Sequence, residues 1–235
     1  MKKLIFILLL AVTLEGCVTY SGYYNLSLRE VDRPENTKLR YGESKVVNFE
    51  EEGKIIYHYE DSLIKIAWLP ASKSFAFAIE NKSEHSIKII WDESAYIDIN
   101  GKAVRTIHSG IKYFDKEKTQ TPTVIPKKSS IRDFLLPTDK LHYYTYTDSK
   151  YYYGGWGNSP LFPSQASRKD ELIDIAKKYI GKTVKILLPI QIQDVINEYT
   201  FSFKIENFVL EREYNKIVIS ENSEGTTNIE SQKKE

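Results

Sequence analysis

Hydrophobic and polar residues alternate in short segments along most of the chain after residue 43. In segment 74–79, Phe75, Phe77 and Ile79 occupy every second position, which places them on one face of an extended strand. Polar turns separate such segments, a spacing that is typical of an antiparallel β-sandwich. The predicted strands are 44–49, 54–59, 63–68, 74–79, 86–91, the hairpin 96–107, 131–136, 183–192, 199–205 and 208–210.

Two dipeptide signals add local detail to these strands. Asn100-Gly101 lies at the centre of the hairpin 96–107 and predicts a type I′ turn, because both central residues of that turn need positive φ. Pro189 interrupts segment 183–192. Since proline cannot donate a hydrogen bond to a neighbouring strand, it predicts an edge strand or a bulge there.

One segment, 167–180, has the spacing of a helix. Ser167 is the predicted N-cap, Asp170 and Glu171 fall in the first turn, and Gly181 is the predicted terminator. Its apolar stripe, which is spaced to pack on a sheet, consists of Leu172, Ile175, Ala176 and Tyr179.

The run from Phe77 through Ile87 to Gly101 resembles the immunoglobulin-like domains found in many exported bacterial proteins. The resemblance implies an antiparallel immunoglobulin-like β-sandwich over 43–219, with the helix 167–180 added to it. It implies nothing about activity, because one sandwich fold supports many functions.

The chain begins with a basic residue pair, Lys2-Lys3, and an apolar run, 4–14. A helix of that length spans about 16 Å, roughly half of a bilayer's hydrocarbon core, so it suits a secretory signal rather than a membrane anchor. The alternative, a buried N-terminal core helix, is disfavoured because the run is apolar on all sides. The sequence therefore predicts export.

The stretch Leu14-Glu15-Gly16-Cys17 resembles the lipobox of bacterial lipoproteins, although Glu15 replaces the small or β-branched residue usual at that position. The resemblance implies cleavage before Cys17, a signal peptide over 1–16 and a lipid anchor of palmitate-type acyl chains on Cys17. Val18 after the cysteine implies the outer membrane rather than the inner one, in a species that has both. Ordinary secretion with a free Cys17 thiol is the alternative. We expect 17–42 to be a tether that pairs at most briefly as a strand, and the polar segment 220–235 to be disordered.

Composition excludes some partners. The formal net charge is +1, and removal of the leader leaves equal numbers of basic and acidic residues. A general electrostatic attraction to nucleic acid is therefore absent, and no nucleic-acid partner is expected. With one cysteine, the chain forms no internal disulfide.

No segment carries a recognisable catalytic, metal or cofactor motif. The histidines have no metal-ligand spacing, and His58 beside Glu60 and Asp61 is interpreted as a solvated strand end. His108 and Ser109 are neighbours on a strand and point to opposite faces, so they do not form a base and nucleophile pair. The sequence thus predicts no catalytic residue, no metal and no cofactor.

The stretch 142–162, within a predicted loop 138–166, is rich in tyrosine, tryptophan and glycine. Two interpretations are considered: the rings form a binding surface for a protein or glycan, or the loop folds back and its rings cover the sandwich. The second is favoured, because a wholly exposed aromatic loop would promote aggregation, so some of these rings are expected to be buried. The candidate binding residues are Tyr151, Tyr152, Tyr153 and Trp156. We therefore predict a lipid-anchored, non-enzymatic binding or assembly module of the bacterial envelope. The alternatives are a glycan-binding module and a membrane-tethered hydrolase.

Overall fold

The computed structural model of the chain describes residues 19–33, 42–51, 54–148, 151–211, 215–223 and 225–233. Its regular structure is mainly antiparallel β-sheet, which confirms the mainly β class that the alternation predicts. The helix α1 is Lys169–Lys177, and short 3₁₀ helices are Trp91–Glu93, Tyr113–Asp115 and Thr138–Lys140. The strands are β1 (Tyr20–Asp32), β2 (Lys45–Glu51), β3 (Lys54–Glu60), β4 (Ile64–Pro70), β5 (Phe75–Asn81), β6 (Ile87–Ile89), β7 (Ala95–Ile97), β8 (Ala103–Ile107), β9 (Thr123–Ile125), β10 (Ser130–Pro137), β11 (Leu141–Asp148), β12 (Tyr151–Asn158), β13 (Gln165–Ala166), β14 (Thr183–Ile192), β15 (Val195–Glu211), β16 (Asn215–Glu221) and β17 (Thr227–Lys233).

Most strands belong to one curled sheet whose two halves face each other. The first half has the order β2-β3-β4-β5-β10, and the second has the order β8-β7-β14-β15-β1. Strand β10 joins the halves, because residues 130–135 pair with β5 whereas Leu136 and Pro137 pair with β8. A strand that changes partner in this way turns a sheet through a corner.

The core between the halves is rich in aromatic side chains. Trp68 of β4 is fully buried and makes edge-to-face contacts with Phe201 and Phe203 of β15, with ring centroids 5.0 and 5.7 Å apart. Tyr59 of β3 contacts Phe201 in the same way. Phe75, Phe77 and Ile79 are also buried, as their alternation predicts. These rings hold the two halves together, since each aromatic side chain buries a large apolar area.

Helix α1 covers a second, smaller core at the far end of β15. Leu172 and Ala176 of the helix are buried in one cluster with Phe208, Leu210 and Ile219. The predicted cap at Ser167 is wrong by one position, because Arg168 holds the extended N-cap position and makes no side-chain capping bond. The predicted end of the helix at 180 is also wrong, because the last helical residue is Lys177 and Lys178 is the C-cap. Gly181 has a φ of +80°, but its N–H donates to the Ile205 carbonyl of β15 and not to a carbonyl of the helix.

The hairpin β7–β8 exists, but its turn is not of type I′. Gly101 has positive φ, whereas Asn100 does not. The Asp98 carboxylate accepts hydrogen bonds from the N–H groups of Asn100 (2.8 Å) and Lys102 (2.9 Å), and the Gly101 N–H donates to the Asp98 carbonyl. The aspartate side chain therefore closes a longer turn, and only glycine adopts the left-handed conformation.

Pro189 lies in a central strand, so the prediction of an edge strand or bulge is wrong. Strand β14 pairs with β15 along its whole length, and its other side pairs with β7 at 185–187 and with β6 at 190–192. The Pro189 carbonyl accepts a bond from the Ile90 N–H, on the side of these short strands. Because a residue's N and C=O point to the same side of a strand, the missing N–H of Pro189 falls in the gap between β6 and β7.

Both predicted unstructured segments contain strands. Residues 22–32 of the expected tether 17–42 pair with β15, and Leu26 and Leu28 are buried. In the expected disordered tail 220–235, β17 pairs with β16. Backbone pairing outweighs a weak local pattern in both cases: β1 pairs with a strand far along the chain, whereas β17 pairs with its neighbour β16.

The leader 1–16 and Cys17 lie outside the described residues. Within the described ranges, no helix is both long enough and apolar enough to cross a membrane.

Candidate functional site

The predicted loop 138–166 contains a hairpin of its own, β11–β12, which we call the aromatic hairpin (residues 141–158). Its two strands pair from Leu141 opposite Asn158 to Asp148 opposite Tyr151. Among the described strands, β11 and β12 pair only with each other and form a separate two-stranded sheet. Residues directly opposite each other share a face, so the register divides the side chains of this hairpin between two faces.

The first face carries Tyr143 opposite Trp156. Their rings meet edge to face with centroids 5.7 Å apart, and the Lys116 ammonium lies 6.0 Å from the Trp156 ring centroid. Gly154 makes room for the tyrosine, because a Cβ at this position would overlap the Tyr143 ring and hydroxyl. A glycine on one strand thus allows the ring from the other strand to lie flat across the backbone.

The second face carries Tyr144, Tyr146 and Tyr153. The Tyr144 ring lies over Gly157, where an added Cβ would be 2.8 Å from Cε2 of the ring. Gly155, opposite Tyr144, has no heavy atom within 4 Å of the position that a Cβ would occupy. This face therefore has a bare stretch of backbone between projecting tyrosine rings.

The described rings of the hairpin are exposed. Tyr153 is 56% exposed and Trp156 is 39% exposed, and Tyr143, Tyr144 and Tyr146 are exposed as well. These residues match the interpretation of a surface of projecting rings. Leu161 and Phe162, which follow the hairpin, are instead buried in the main core, as the interpretation of a folded-back loop expects. For Tyr151 and Tyr152 the structure describes the backbone, which pairs opposite Asp148 and Thr147.

Sequence reasoning missed Tyr143, Tyr144 and Tyr146 as members of this surface. The signal was present in the alternation of 142–147, which runs His-Tyr-Tyr-Thr-Tyr-Thr opposite a glycine-rich strand. Residues 142–147 and 153–157 contain no aspartate, glutamate, lysine or arginine. The chemistry of this surface is therefore aromatic stacking combined with hydroxyl and indole N–H groups that donate hydrogen bonds.

The pair His108 and Asp133 is a second candidate for a functional site, but its contacts are those of a structural link between β8 and β10. The His108 Nδ1 lies 3.2 Å from the Asp133 carboxylate, and the imidazole stacks on Trp91 with centroids 4.1 Å apart. The N–H groups of Ser109 and Phe134 also donate to Asp133. Burial opposes ionisation of this carboxyl, but the bonds from His108 and these N–H groups outweigh it, so the pKa of Asp133 is lowered. The histidine thus joins the end of β8 to β10.

A third candidate, the buried carboxylate of Asp61, is fully occupied by its neighbours. It accepts hydrogen bonds from the hydroxyls of Tyr59 (2.9 Å) and Tyr199 (3.0 Å) and from the N–H groups of Leu63 and Ile64. Burial, together with Asp61, raises the pKa of Tyr59. This network connects β3 with β15 and places no reactive group at the surface.

No metal centre is evident in the part of the chain that the structure describes, which holds no group of three or more histidine, cysteine, aspartate or glutamate residues placed to bind an ion. Compared with known proteins, the chain matches no family model, and no curated protein and no solved structure shows significant similarity to it.

Proposed function

We propose that the protein is a non-enzymatic binding module, held at a bacterial envelope membrane by lipid on Cys17, that binds its partner through the aromatic hairpin. The observation that carries the proposal is the hairpin itself. It projects tyrosine and tryptophan rings from both faces, shares no backbone ladder with the described body, and leaves these rings exposed. Exposed aromatic groups of this kind are the usual anchors of binding surfaces.

The lipid anchor rests on Leu14-Glu15-Gly16-Cys17, which resembles a lipobox. Strand β1 begins at Tyr20, three positions after Cys17, so an extended chain would place the start of the sheet within about 11 Å of the anchor. An acyl-anchored Cys17 would therefore hold the sheet close to the membrane surface, without the long tether that the sequence predicts. We retain the outer membrane as the proposed location, on the basis of Val18.

The finer fold prediction, an immunoglobulin-like sandwich, belongs to this proposal as well. It is supported by the two facing antiparallel halves and by Trp68, which lies buried between them.

Metabolic labelling with a palmitate analogue tests the anchor. The wild-type protein should incorporate the label and fractionate with membranes, and the Cys17→Ser variant should do neither. Equal labelling of both proteins would overturn lipidation at this residue, and an unlabelled but secreted wild type would indicate ordinary secretion.

Capture from detergent-solubilised envelope tests the binding surface. We expect a specific partner to be retained by the wild type and lost with Trp156→Ala and Tyr143→Ala. Phe114→Ala is the matched control, because Phe114 is an exposed aromatic residue outside the hairpin. Equal retention by all four proteins would contradict a role for the hairpin.

A glycan is the second candidate partner, favoured by the absence of charged residues from 142–147 and 153–157 and by the bare backbone at Gly155. The apolar face of a sugar ring could stack on Tyr144, opposite Gly155, and approach this backbone. Purified peptidoglycan is a suitable probe: sedimentation with it should fall for Tyr144→Ala and Gly155→Val but stay unchanged for Phe114→Ala. Identical sedimentation of the three variants and the wild type would exclude this glycan as the partner.

A further inference from the structure

We propose that strand β2 forms an interface with β2 of a second copy of this chain, so that the two curled sheets join edge to edge. This inference concerns a surface separate from the aromatic hairpin and does not depend on the function proposed for it. Among the described strands, β2 pairs only with β3, so its other edge is open. An open edge of apolar residues is a template for another strand.

The exposure of β2 supports an unoccupied edge along its whole described length. Every residue from 42 to 50 is exposed. Val47 is 49% exposed and Phe49 is 43% exposed, although both are large apolar side chains in a regular strand. They point to the same side, away from the core, as their partners His58 and Ile56 in β3 show. A partner strand would extend the sheet and cover them.

Two antiparallel copies of β2, each with the sequence Lys-Val-Val-Asn-Phe-Glu-Glu, present complementary residues to each other. In an antiparallel pair centred on Asn48, that residue faces its own copy and Val47 faces Phe49. The same register places Lys45 opposite Glu51, so the basic beginning of one strand meets the acidic end of the other. Opposite charges and apolar pairs at facing positions stabilise an antiparallel ladder. This complementarity identifies a second copy of the chain as the occupant.

The inner side of β2 offers further apolar surface to a second copy. A cleft of about 530 Å³ opens between β1 and β3, lined by Leu26, Tyr57 and Leu69 among others. Ile55, which lines this cleft, and Val46, farther along β2, face the inside of the curled sheet yet are exposed. At the other end of β1, the Arg33 guanidinium lies 3.8 Å from the Asp61 carboxylate and ties β1 to the end of β3. The edges of β1 and β3 are therefore linked by an ion pair at one end and separated by the cleft at the other.

Single-cysteine crosslinking tests the predicted register in the full chain carrying Cys17→Ser. Directly opposed residues of antiparallel strands have Cα atoms about 4.5–5.5 Å apart, within the range of about 4.4–6.8 Å that a disulfide spans. Asn48→Cys should therefore give a disulfide-linked dimer under mild oxidation. Val46→Cys is the control on the same face. In this register, residue 46 lies opposite Glu50 of the second copy. The two cysteines at position 46 are therefore four residues apart along the strand, about 13 Å. The Val46→Cys protein should crosslink at least tenfold less.

A mixture of two variants makes the register test stricter. Val46→Cys and Glu50→Cys proteins should crosslink with each other, although Val46→Cys alone should not. Equal crosslinking at residues 46 and 48 would reflect random collision and would overturn the proposal. Absence of crosslinking at residue 48, in protein at the concentration used for the other variants, would overturn it as well.

Sedimentation equilibrium tests the interface without a covalent bond. Val47→Lys combined with Phe49→Lys places like charges opposite each other, and self-association should weaken at least tenfold. Val47→Lys combined with Phe49→Glu places opposite charges at the same positions, and self-association should persist. Circular dichroism verifies that both double variants are folded. If the two dissociate equally, or if the parent Cys17→Ser protein sediments as a monomer at every concentration, the interface does not exist.

Discussion

Two hairpins of this molecule each contain a cross-strand pair of aromatic residues, but another layer of the structure covers only one of the two pairs. In β4–β5, Trp68 lies opposite Phe77 with ring centroids 5.1 Å apart, and both are buried beneath β15. In β11–β12, Trp156 lies opposite Tyr143 at 5.7 Å, and both are exposed. Cross-strand pairing is therefore a local property, whereas burial depends on whether another layer covers the pair.

The small residues of the two hairpins explain the difference. In β4–β5, Ala67, Ala76 and Ala78 alternate with the large apolar residues. The large side chains therefore lie on one face, and small side chains occupy much of the other. In β11–β12, large rings lie on both faces, and glycines provide the space in which rings lie across the backbone. A hairpin of the first kind suits a core, and one of the second kind suits contact with another molecule.

The largest expected effect on stability is that of Trp68→Ala. Removal of a fully buried tryptophan leaves a cavity, and we expect a loss of about 3–5 kcal/mol in the free energy of unfolding. Urea denaturation followed by circular dichroism measures it. A loss below about 1 kcal/mol would mean that β4 and β15 do not share a core.

The link between His108 and Asp133, which joins the end of β8 to β10, gives the body a pH-dependent stability. Because the pKa of Asp133 is lowered on folding, its contribution is fully present above the unfolded-state pKa and is lost as the pH falls through the folded-state pKa. Asp133→Asn should cost about 1–3 kcal/mol at neutral pH. Its unfolding free energy should also fall less steeply below pH of about 4 than that of the wild type. Parallel acid profiles of the two proteins would contradict this role.

A smaller effect should separate two adjacent glycines of the aromatic hairpin. Gly154→Ala displaces the Tyr143 ring and should weaken the Tyr143–Trp156 pair by about 0.5–1 kcal/mol. Gly155→Ala meets open space and should not weaken it, because alanine is the better strand residue. Amide hydrogen exchange in β11 and β12 measures this local opening, and faster exchange in Gly155→Ala than in Gly154→Ala would contradict the assigned ring positions.

The smallest expected change in global stability is that of Trp156→Ala. Since the ring is exposed and its described contacts are the Tyr143 ring and the Lys116 ammonium, the free energy of unfolding should change by less than about 1 kcal/mol. The same urea experiment as for Trp68→Ala provides the measurement. A cost similar to that of Trp68→Ala would show that the hairpin is part of the core.

The sequence was informative where one face of a strand is buried. The alternation of Phe75, Phe77 and Ile79 predicts their common burial, and the apolar spacing of Leu172 and Ala176 predicts the buried face of the helix. It was less informative where distant pairing decides the structure. Strand β1 depends on β15, whose paired residues lie 168 to 188 positions away, and Pro189 is tolerated because two short strands leave a gap beside it. Neither fact is visible in a local window.

The candidate site was predicted only in part, for a related reason. The composition of 142–162 singles out an aromatic stretch that includes Tyr153 and Trp156, but it shows neither that these rings are exposed nor that the segment forms its own ladder. Glycine is usually a poor strand residue, so Gly154, Gly155 and Gly157 favour a loop in any local assessment. Their role becomes clear only when the rings of Tyr143 and Tyr144 lie across two of them.

The separate ladder of the aromatic hairpin has a consequence for how this protein can change over evolutionary time. Substitutions of the exposed rings on either face of the hairpin leave the ladders of the described body intact, so selection on folding constrains these positions weakly. Its rings can therefore diversify among descendants while the curled sheet stays the same. The same independence makes the hairpin a practical place to graft new recognition sequences onto this scaffold.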